Sequence, residues 1–325
     1  MTEKTVRQAG WRFTGLSRWF FTHLSKLVIA ASAWTAATWG VAAENSTYWV
    51  MSTREISLSA VKPGVYQTVT VLRADEEGAL DEAKLEGLVD AILATKRVVI
   101  YLPGNRSDFA SGHCEGWALY KLLSEVQGAP PIVFALWSWP ADRVTFGQRS
   151  DIWIKACRAD AEAFILADWL RTLRSDVRVL LVTYSLSARA ALGALHLLGG
   201  GQVAERQLEN TISQPSPQIA ALLVAPAVDA HALAPGGAFE LAIARAHKVA
   251  LTVHPGDTLL RLYPLLYGLR GPQALGFVGP ICLRPEDAEK VDIIPMQGWA
   301  GRGHGWQNYF STVPVRSQLE AMATH

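Results

Sequence analysis

The segment from Val177 to Ala191 constrains this chain most, because an apolar run stops there at one serine and a helical pattern starts at once. Residues 177–183 have the composition of a buried strand, and alanines and leucines follow Ser185 at helical spacing. A strand, a serine and a helix in that order predict a sharp turn that lifts the serine oxygen above the sheet edge. Ser185 is therefore a candidate nucleophile, and the simpler alternative is a serine that only caps the helix.

The turn lacks the glycines that usually flank such a serine. Thr183 and Ser187 stand two positions before and two positions after Ser185. Side chains at these positions can crowd a turn that brings a strand and a helix close together. The backbone N–H of Leu186 can still help to bind an oxyanion, since this residue is not a proline.

From about residue 48 the chain alternates between apolar runs of strand length and helical patterns. Strands without polar alternation, separated by helices, predict an α/β fold with a mostly parallel sheet covered by helices on both faces. The predicted strands are Tyr48–Met51, Gln67–Leu72, Val98–Leu102, Ile132–Trp137, Val177–Thr183, Ala220–Val224 and Lys248–Val253. The predicted helices are Leu80–Thr95 and residues 114–126 and 152–174. The polar stretch Gly199–Gln218 is interpreted as a surface loop or as part of a lid.

Composition excludes several classes of protein. The 325 residues are 50% apolar, which is enough for a large core, and the formal net charge is +1. That balance, without a basic stripe beyond the N-terminus, argues against a nucleic-acid partner. The three cysteines, Cys114, Cys157 and Cys282, are too few for a disulfide scaffold and too scattered for a zinc site.

The N-terminal 43 residues differ from the rest of the chain. Residues 1–26 carry five basic side chains against the single acid Glu3, and an uncharged, mostly apolar run covers residues 27–43. The run ends in alanines at 42 and 43, as expected of a secretory signal peptide. Its length is also near the lower limit for a membrane-spanning anchor. We therefore predict a protein that is exported (periplasmic or secreted) or held at the inner membrane. Residues 44–325 are predicted to form one α/β domain.

Reactive groups in a parallel sheet collect beyond the carboxyl ends of the strands. After Ser185, two strands end at Asp229 and Asp257, and His304 lies between glycines near the C-terminus. Serine, acid and histidine in that chain order are typical of α/β-hydrolase triads. Asp257 is the preferred acid and Asp229 the alternative.

Each of these residues also has an ordinary interpretation. Asp257 precedes a helical pattern and could act as its N-cap, and His304 could be a surface-loop histidine. A metal site formed by His254, Asp257 and His304 is disfavoured, because the sequence has no close-spaced ligand pair on one helix face.

Several motifs together resemble a poorly characterised group of bacterial α/β-hydrolases. Val98–Phe109 is similar to the oxyanion segment of that group, and Ser138-Trp139-Pro140 matches its Ser-Trp-Pro motif. Tyr184–Arg189 matches its His-Ser-Met-Gly elbow in part. The remaining matches, which extend the resemblance over residues 48–311, are Thr53-Arg54, Ala225–Asp229, Gly256-Asp257 and Gly303-His304. The group usually has histidines where this chain has Pro103 and Tyr184.

The resemblance implies an α/β-hydrolase fold and a serine hydrolase, most simply an esterase with a small-molecule acyl or ester substrate. Ser185 would be the nucleophile, His304 the base and Asp257 the acid, with the N–H groups of Asn105 and Leu186 binding the oxyanion. No cofactor or metal is implied. An acyltransferase on the same triad and a non-catalytic binding module of the same fold are the alternatives, and the missing flanking glycines favour the latter.

Overall fold

The computed structural model describes residues 46–57, 61–145, 147–209, 216–268 and 270–324. The predicted signal or anchor at residues 1–43 lies outside the described residues and stays a prediction. Within the described residues, no helix combines the length and the apolar character that crossing a membrane requires.

In the part of the chain that the structure describes, nine strands form the central sheet, in the order β11-β10-β9-β6-β4-β5-β1-β2-β3. All neighbours from β11 to β1 are parallel, whereas β2 runs antiparallel to both β1 and β3. A separate two-stranded ribbon is formed by β7 and β8. The strands are β1 Thr47–Ser52, β2 Thr70–Ala74, β3 Leu80–Ala83, β4 Arg97–Leu102, β5 Val133–Ser138, β6 Arg178–Tyr184, β7 Gln202–Val203, β8 Arg206–Gln207, β9 Gln218–Val224, β10 Lys248–Val253 and β11 Val291–Pro295.

Helices cover the sheet on both faces, as its apolar strands require. In β4, Val98 and Ile100 pack into one core cluster, while Val99 and Tyr101 pack into the other. The helices are α1 Leu85–Thr95, α2 Phe109–Ser124, α3 Gln148–Leu170, α4 Ala188–Leu198, α5 Ala242–Arg245, α6 Thr258–Arg261, α7 Leu275–Val278, α8 Pro285–Ala288, α9 Trp306–Phe310 and α10 Val313–Thr324. The first core cluster contains α1, α3 and α4, and the second contains α2 and α10.

This arrangement is an α/β-hydrolase fold, and it confirms the fold class predicted from the sequence. The strand that precedes Ser185, β6, lies inside the parallel sheet between β4 and β9. The carboxyl ends of β4, β6, β9 and β10 therefore open onto the same edge of the sheet.

Several predicted elements differ in detail from the structure, and β3, β7, β8 and β11 were not predicted as strands. The strand predicted at Gln67–Leu72 begins only at Thr70, because Val65–Thr68 forms a 3-10 helix. The helix predicted from Leu80 begins only at Leu85, because Leu80–Ala83 pairs with β2 as an edge strand. A four-residue segment with apolar residues only at its ends fits either state, so tertiary pairing decided its structure. The strand Val291–Pro295 escaped notice because it is a sheet edge in which Ile294 is buried and Ile293 is exposed. The predicted loop at Gly199–Gln218 contains β7 and β8, and its residues 210–215 lie outside the described part.

Candidate active site

Ser185 lies at a sharp turn between β6 and α4. A short 3-10 helix, Ser185–Ser187, joins the two elements. The φ angle of Ser185 is +60°, in the left-handed region that non-glycine residues rarely occupy. Such a conformation costs roughly 1–3 kcal/mol and persists only where the surrounding structure enforces it. The strained backbone is the geometry expected of a nucleophile elbow.

Ser187, which replaces the glycine usually found two positions after the nucleophile, fits the turn. Ser187 is buried, and its hydroxyl accepts a hydrogen bond from the Tyr184 N–H at 3.0 Å and donates to the Leu102 carbonyl at 2.7 Å. Its side chain thus joins the elbow to the neighbouring strand β4. The close approach that needs a glycine lies elsewhere: a Cβ at Gly104 would come within 2.5 Å of the Tyr184 ring.

His304 connects Ser185 to Asp257. Its Nε2 lies 2.8 Å from Ser185 Oγ, and its Nδ1 lies 2.7 Å from Asp257 Oδ2. With the Nδ1 proton facing the carboxylate, Nε2 is free to accept the serine proton. The structure thus brings together the three side chains that the sequence nominated.

Both oxygens of Asp257 are engaged. Oδ1 accepts the N–H groups of Leu259 and Leu260 at 2.9 Å each, while Oδ2 accepts from His304 and from the Tyr309 hydroxyl. Burial raises the pKa of Asp257, but the hydrogen bond and charge of His304 and the bonds from Tyr309 and Leu260 outweigh it, so the pKa is lowered. Asp257 is therefore both the N-cap of α6 and the partner of His304.

Asp229 lies in a different environment from Asp257. Its carboxylate accepts the backbone N–H of His231 at 2.9 Å and lies 3.4 Å from the ring of the same residue. Its side chain is 39% exposed, and no contact joins it to His304 among the described residues. Of the two candidate acids, only Asp257 meets the histidine.

Tyr184 holds the main chain of His304. Its ring stacks on the His304 ring with centroids 5.5 Å apart, and its hydroxyl donates to the His304 carbonyl. Burial raises the pKa of Tyr184, as do the charges of Glu115 and Asp257, so the phenol stays a protonated donor. Tyr184, which stands where the resembling group has a histidine, thus fixes the loop that carries His304.

The loop that carries His304 is also anchored from the β10 side. His254 Nε2 lies 2.8 Å from the Gly301 carbonyl, and Thr258 donates to the Arg302 carbonyl through both its N–H and its hydroxyl. His254 therefore supports the loop as a hydrogen-bond donor. The described residues contain no cluster of three or more histidine, cysteine or acidic side chains arranged to hold a metal ion.

The loop after β4 carries Asn105, one of the two predicted oxyanion donors. Among the described residues, no hydrogen-bond acceptor occupies the backbone N–H of Asn105 or that of Leu186. Trp139 of the Ser-Trp-Pro motif donates its indole N–H to the Pro103 carbonyl at 2.9 Å. Arg54 reaches across to the same loop and donates to the Ser107 carbonyl at 2.9 Å. Side chains from two other strand ends therefore fix this loop.

Sequence reasoning missed the supporting residues around these groups. Tyr184 was noted only as a departure from a motif, and Tyr309 was not considered at all. His254 was considered only as a metal ligand. A tyrosine five residues after a candidate histidine was the available signal for Tyr309, but it becomes meaningful only when α9 is seen to fold back on Asp257.

No family model matches the sequence, and no curated protein sequence matches it. Among solved structures, esterase B from Lactobacillus rhamnosis, in a crystal structure with a C4-C4 SN3 tributyrin phosphonate, is similar to 87% of this chain over 88% of its own. The identity is 13% and the TM-score 0.34. Thermogutta terrifontis esterase 2, phosphoramylated by tabun, is similar to 69% of this chain over 80% of its own, with 13% identity and a TM-score of 0.30. Likeness at this level carries no argument about the site, which rests on its own geometry.

Proposed function

We propose that this protein is a serine hydrolase that cleaves carboxylic esters with Ser185, His304 and Asp257. The observation that carries the proposal is the unbroken hydrogen-bonded series from Ser185 Oγ through the His304 ring to Asp257 Oδ2, starting at a serine with a φ of +60°. A serine that only capped α4 would need neither the strained backbone nor the histidine.

The reaction follows from the positions of these groups. Ser185 Oγ attacks the acyl carbonyl as His304 Nε2 takes its proton, and Asp257 stabilises the imidazolium that forms. The N–H groups of Asn105 and Leu186 donate to the carbonyl oxygen as it becomes an oxyanion. His304 then protonates the leaving alkoxide, and a water molecule that His304 deprotonates releases the acid from Ser185.

The non-catalytic alternative rested on the altered flanks of the elbow. The bonds of Ser187 to Tyr184 and Leu102 weaken that argument at one of the two flanks, because this side chain supports the turn where crowding was expected. An acyltransferase shares the acylation half of the reaction and differs only in the acceptor of the acyl group.

Hydrolysis of a short-chain nitrophenyl ester by the full-length protein tests the proposal. We expect turnover by the wild type and a loss of roughly 10³-fold or more in Ser185→Ala, the scale on which triad residues act. Equal rates in the two folded proteins would refute the proposal. Addition of glycerol separates the alternatives, since a hydrolase releases the free acid and an acyltransferase forms the glyceride.

The location of the protein is a separate proposal that rests on the sequence of residues 1–43. We propose export or retention at the inner membrane. The mass of the mature protein decides between them, since a cleaved signal removes these residues and an anchor retains them.

A further inference from the structure

Three leucines beside the catalytic aspartate face solvent. Leu259, Leu262 and Leu265 are 48%, 56% and 51% exposed, at a spacing of three residues along α6 and the following 3-10 helix. Residues three apart lie on the same side of such turns. Leu260 and Tyr263 point inward and are buried, so the segment has one core face and one apolar face towards water.

Other exposed apolar side chains lie in the same part of the molecule. Among the described residues, all large exposed hydrophobic side chains except Ile293, which lies within β11, are in segments that follow the carboxyl ends of strands. Trp153, which is 65% exposed, lines an apolar groove of about 480 Å³ together with Leu266 and Tyr267. The apolar exposure is therefore concentrated at the edge of the sheet that holds Ser185.

This surface stays close to the catalytic groups through direct contacts. The N–H of Leu259 is bonded to Asp257, and the Thr258 N–H donates to the Arg302 carbonyl in the histidine loop. Arg149 donates to the Leu266 carbonyl and so ties the start of α3 to the same segment.

The charge of the same segments is purely basic. Residues 258–285, which carry the exposed leucines, contain three arginines and no acidic residue. Arg261 and Arg270 are exposed and form no ion pair within the described residues. By contrast, Lys248 at the opposite edge of the sheet is paired with Asp292 at 2.8 Å.

We infer that the Leu–Arg surface, defined by Leu259, Arg261, Leu262, Leu265, Tyr267 and Arg270, docks onto a phospholipid bilayer that contains anionic lipids. Apolar side chains interspersed with arginines and free of acids suit an interface with acyl chains below and phosphate groups around it. If the proposed hydrolase function holds, on which this further step rests, the substrate is an ester carried by a membrane lipid or another amphiphile.

Vesicle co-sedimentation of the full-length chain tests the docking. The vesicles are phosphatidylcholine alone or a 3:1 mixture of phosphatidylcholine and phosphatidylglycerol, a ratio of roughly one anionic lipid in four. The apolar variant is Leu262→Ser/Leu265→Ser, and its matched control is Ile293→Ser/Val313→Ser, which removes similarly exposed residues outside the surface. The charge variant is Arg261→Glu/Arg270→Glu, and its control is Lys62→Glu/Lys84→Glu, exposed lysines beside β2 and β3 at the far end of the sheet.

We expect the wild type to bind anionic vesicles about tenfold more tightly than neutral ones, with high salt weakening the preference. Both surface variants should lose about tenfold in binding to anionic vesicles, while both controls stay within about twofold of the wild type. Residues 1–43 are the same in all five proteins, so their contribution cancels from the differences. Absence of binding, equal binding to both vesicles, or equal binding by wild type and surface variants would overturn the inference.

An activity comparison separates this inference from the proposed function. If the wild type hydrolyses a soluble short-chain ester but does not hydrolyse an ester embedded in vesicles that contain phosphatidylglycerol, the lipid substrate is refuted and the hydrolase stands. If neither ester is hydrolysed, the hydrolase proposal fails, and vesicle binding by the inactive Ser185→Ala protein still decides the docking.

Discussion

The loops after β9 and β10 are alike in sequence pattern, but their aspartates lie in different environments. Each follows a buried strand and ends in an aspartate, Asp229 in one case and Asp257 in the other. Asp229 is partly exposed and bonds within its own turn to His231, whereas Asp257 is fully buried and accepts four hydrogen bonds. A carboxylate at the right edge of the sheet is thus not sufficient for a triad.

The difference between the two aspartates arises from the segments that pack against the loop after each strand. The histidine loop, residues 301–305, rests on the β10 loop through His254 and Thr258, and α9 brings Tyr309 against the same carboxylate. The β9 loop instead pairs with Ala274 through an isolated bridge at Asp229. Elements distant in sequence therefore determine which of the two aspartates contacts His304.

The largest effect is expected from the acids themselves. Asp257→Asn should lower kcat/KM by about 10³- to 10⁴-fold, because an amide holds the imidazole in the wrong tautomer. Asp229→Asn should stay within about twofold, as surface substitutions away from a site do. Steady-state kinetics on a nitrophenyl ester checks both, and a larger loss in Asp229→Asn would break the comparison.

The residue that contacts each acid, Tyr309 in one case and His231 in the other, offers the next test. Tyr309→Phe removes a donor to Asp257 Oδ2 and should lower kcat about tenfold. A hydrogen bond to a charged group is worth about 1.5–3 kcal/mol, and we expect part of this energy to be lost from the transition state. His231→Ala removes the corresponding neighbour of Asp229 and should leave kcat unchanged. Equal kcat values for both variants would show that the Tyr309 contact does not matter for the reaction.

Tyr184 is expected to matter less than Tyr309, because it acts on the main chain of His304. Tyr184→Phe keeps the stacked ring and loses only the bond to the His304 carbonyl, which predicts a fall in kcat of about three- to tenfold with little change in KM. As a matched control, Tyr66→Phe alters a tyrosine outside the site. A change confined to KM would argue that Tyr184 contacts substrate and does not position His304.

The smallest effect concerns stability. The pKa of Asp257 is lowered in the folded protein, so its ionised form stabilises the fold above the unfolded value of about 3.9, and this stability is lost as the pH falls through the folded pKa. The gap in unfolding free energy between wild type and Asp257→Asn should be widest near neutral pH and narrow from about pH 5 downwards. Urea titrations across this range measure it, and a constant gap would contradict the buried, bonded carboxylate.

The fold class and the candidate side chains could be predicted from the sequence because both depend on local patterns. A β-branched run followed by Ser185 and a helix is visible in one stretch of chain, and buried parallel strands are recognisable as continuous apolar runs. The sequence does not decide whether Asp229 or Asp257 contacts His304, since that contact depends on where residues 301–305 pack. The role of Tyr184 was equally hidden, because its partner lies 120 residues away.

Labelling with a fluorophosphonate probe tests the central claim, that Ser185 is an activated nucleophile, most directly. Folded wild-type protein should gain one adduct, mapped by mass spectrometry to Ser185, and Ser185→Ala should gain none. His304→Ala should label far more slowly, because the serine then lacks its base. No labelling of the folded wild type, or equal labelling of wild type and Ser185→Ala, would contradict the account.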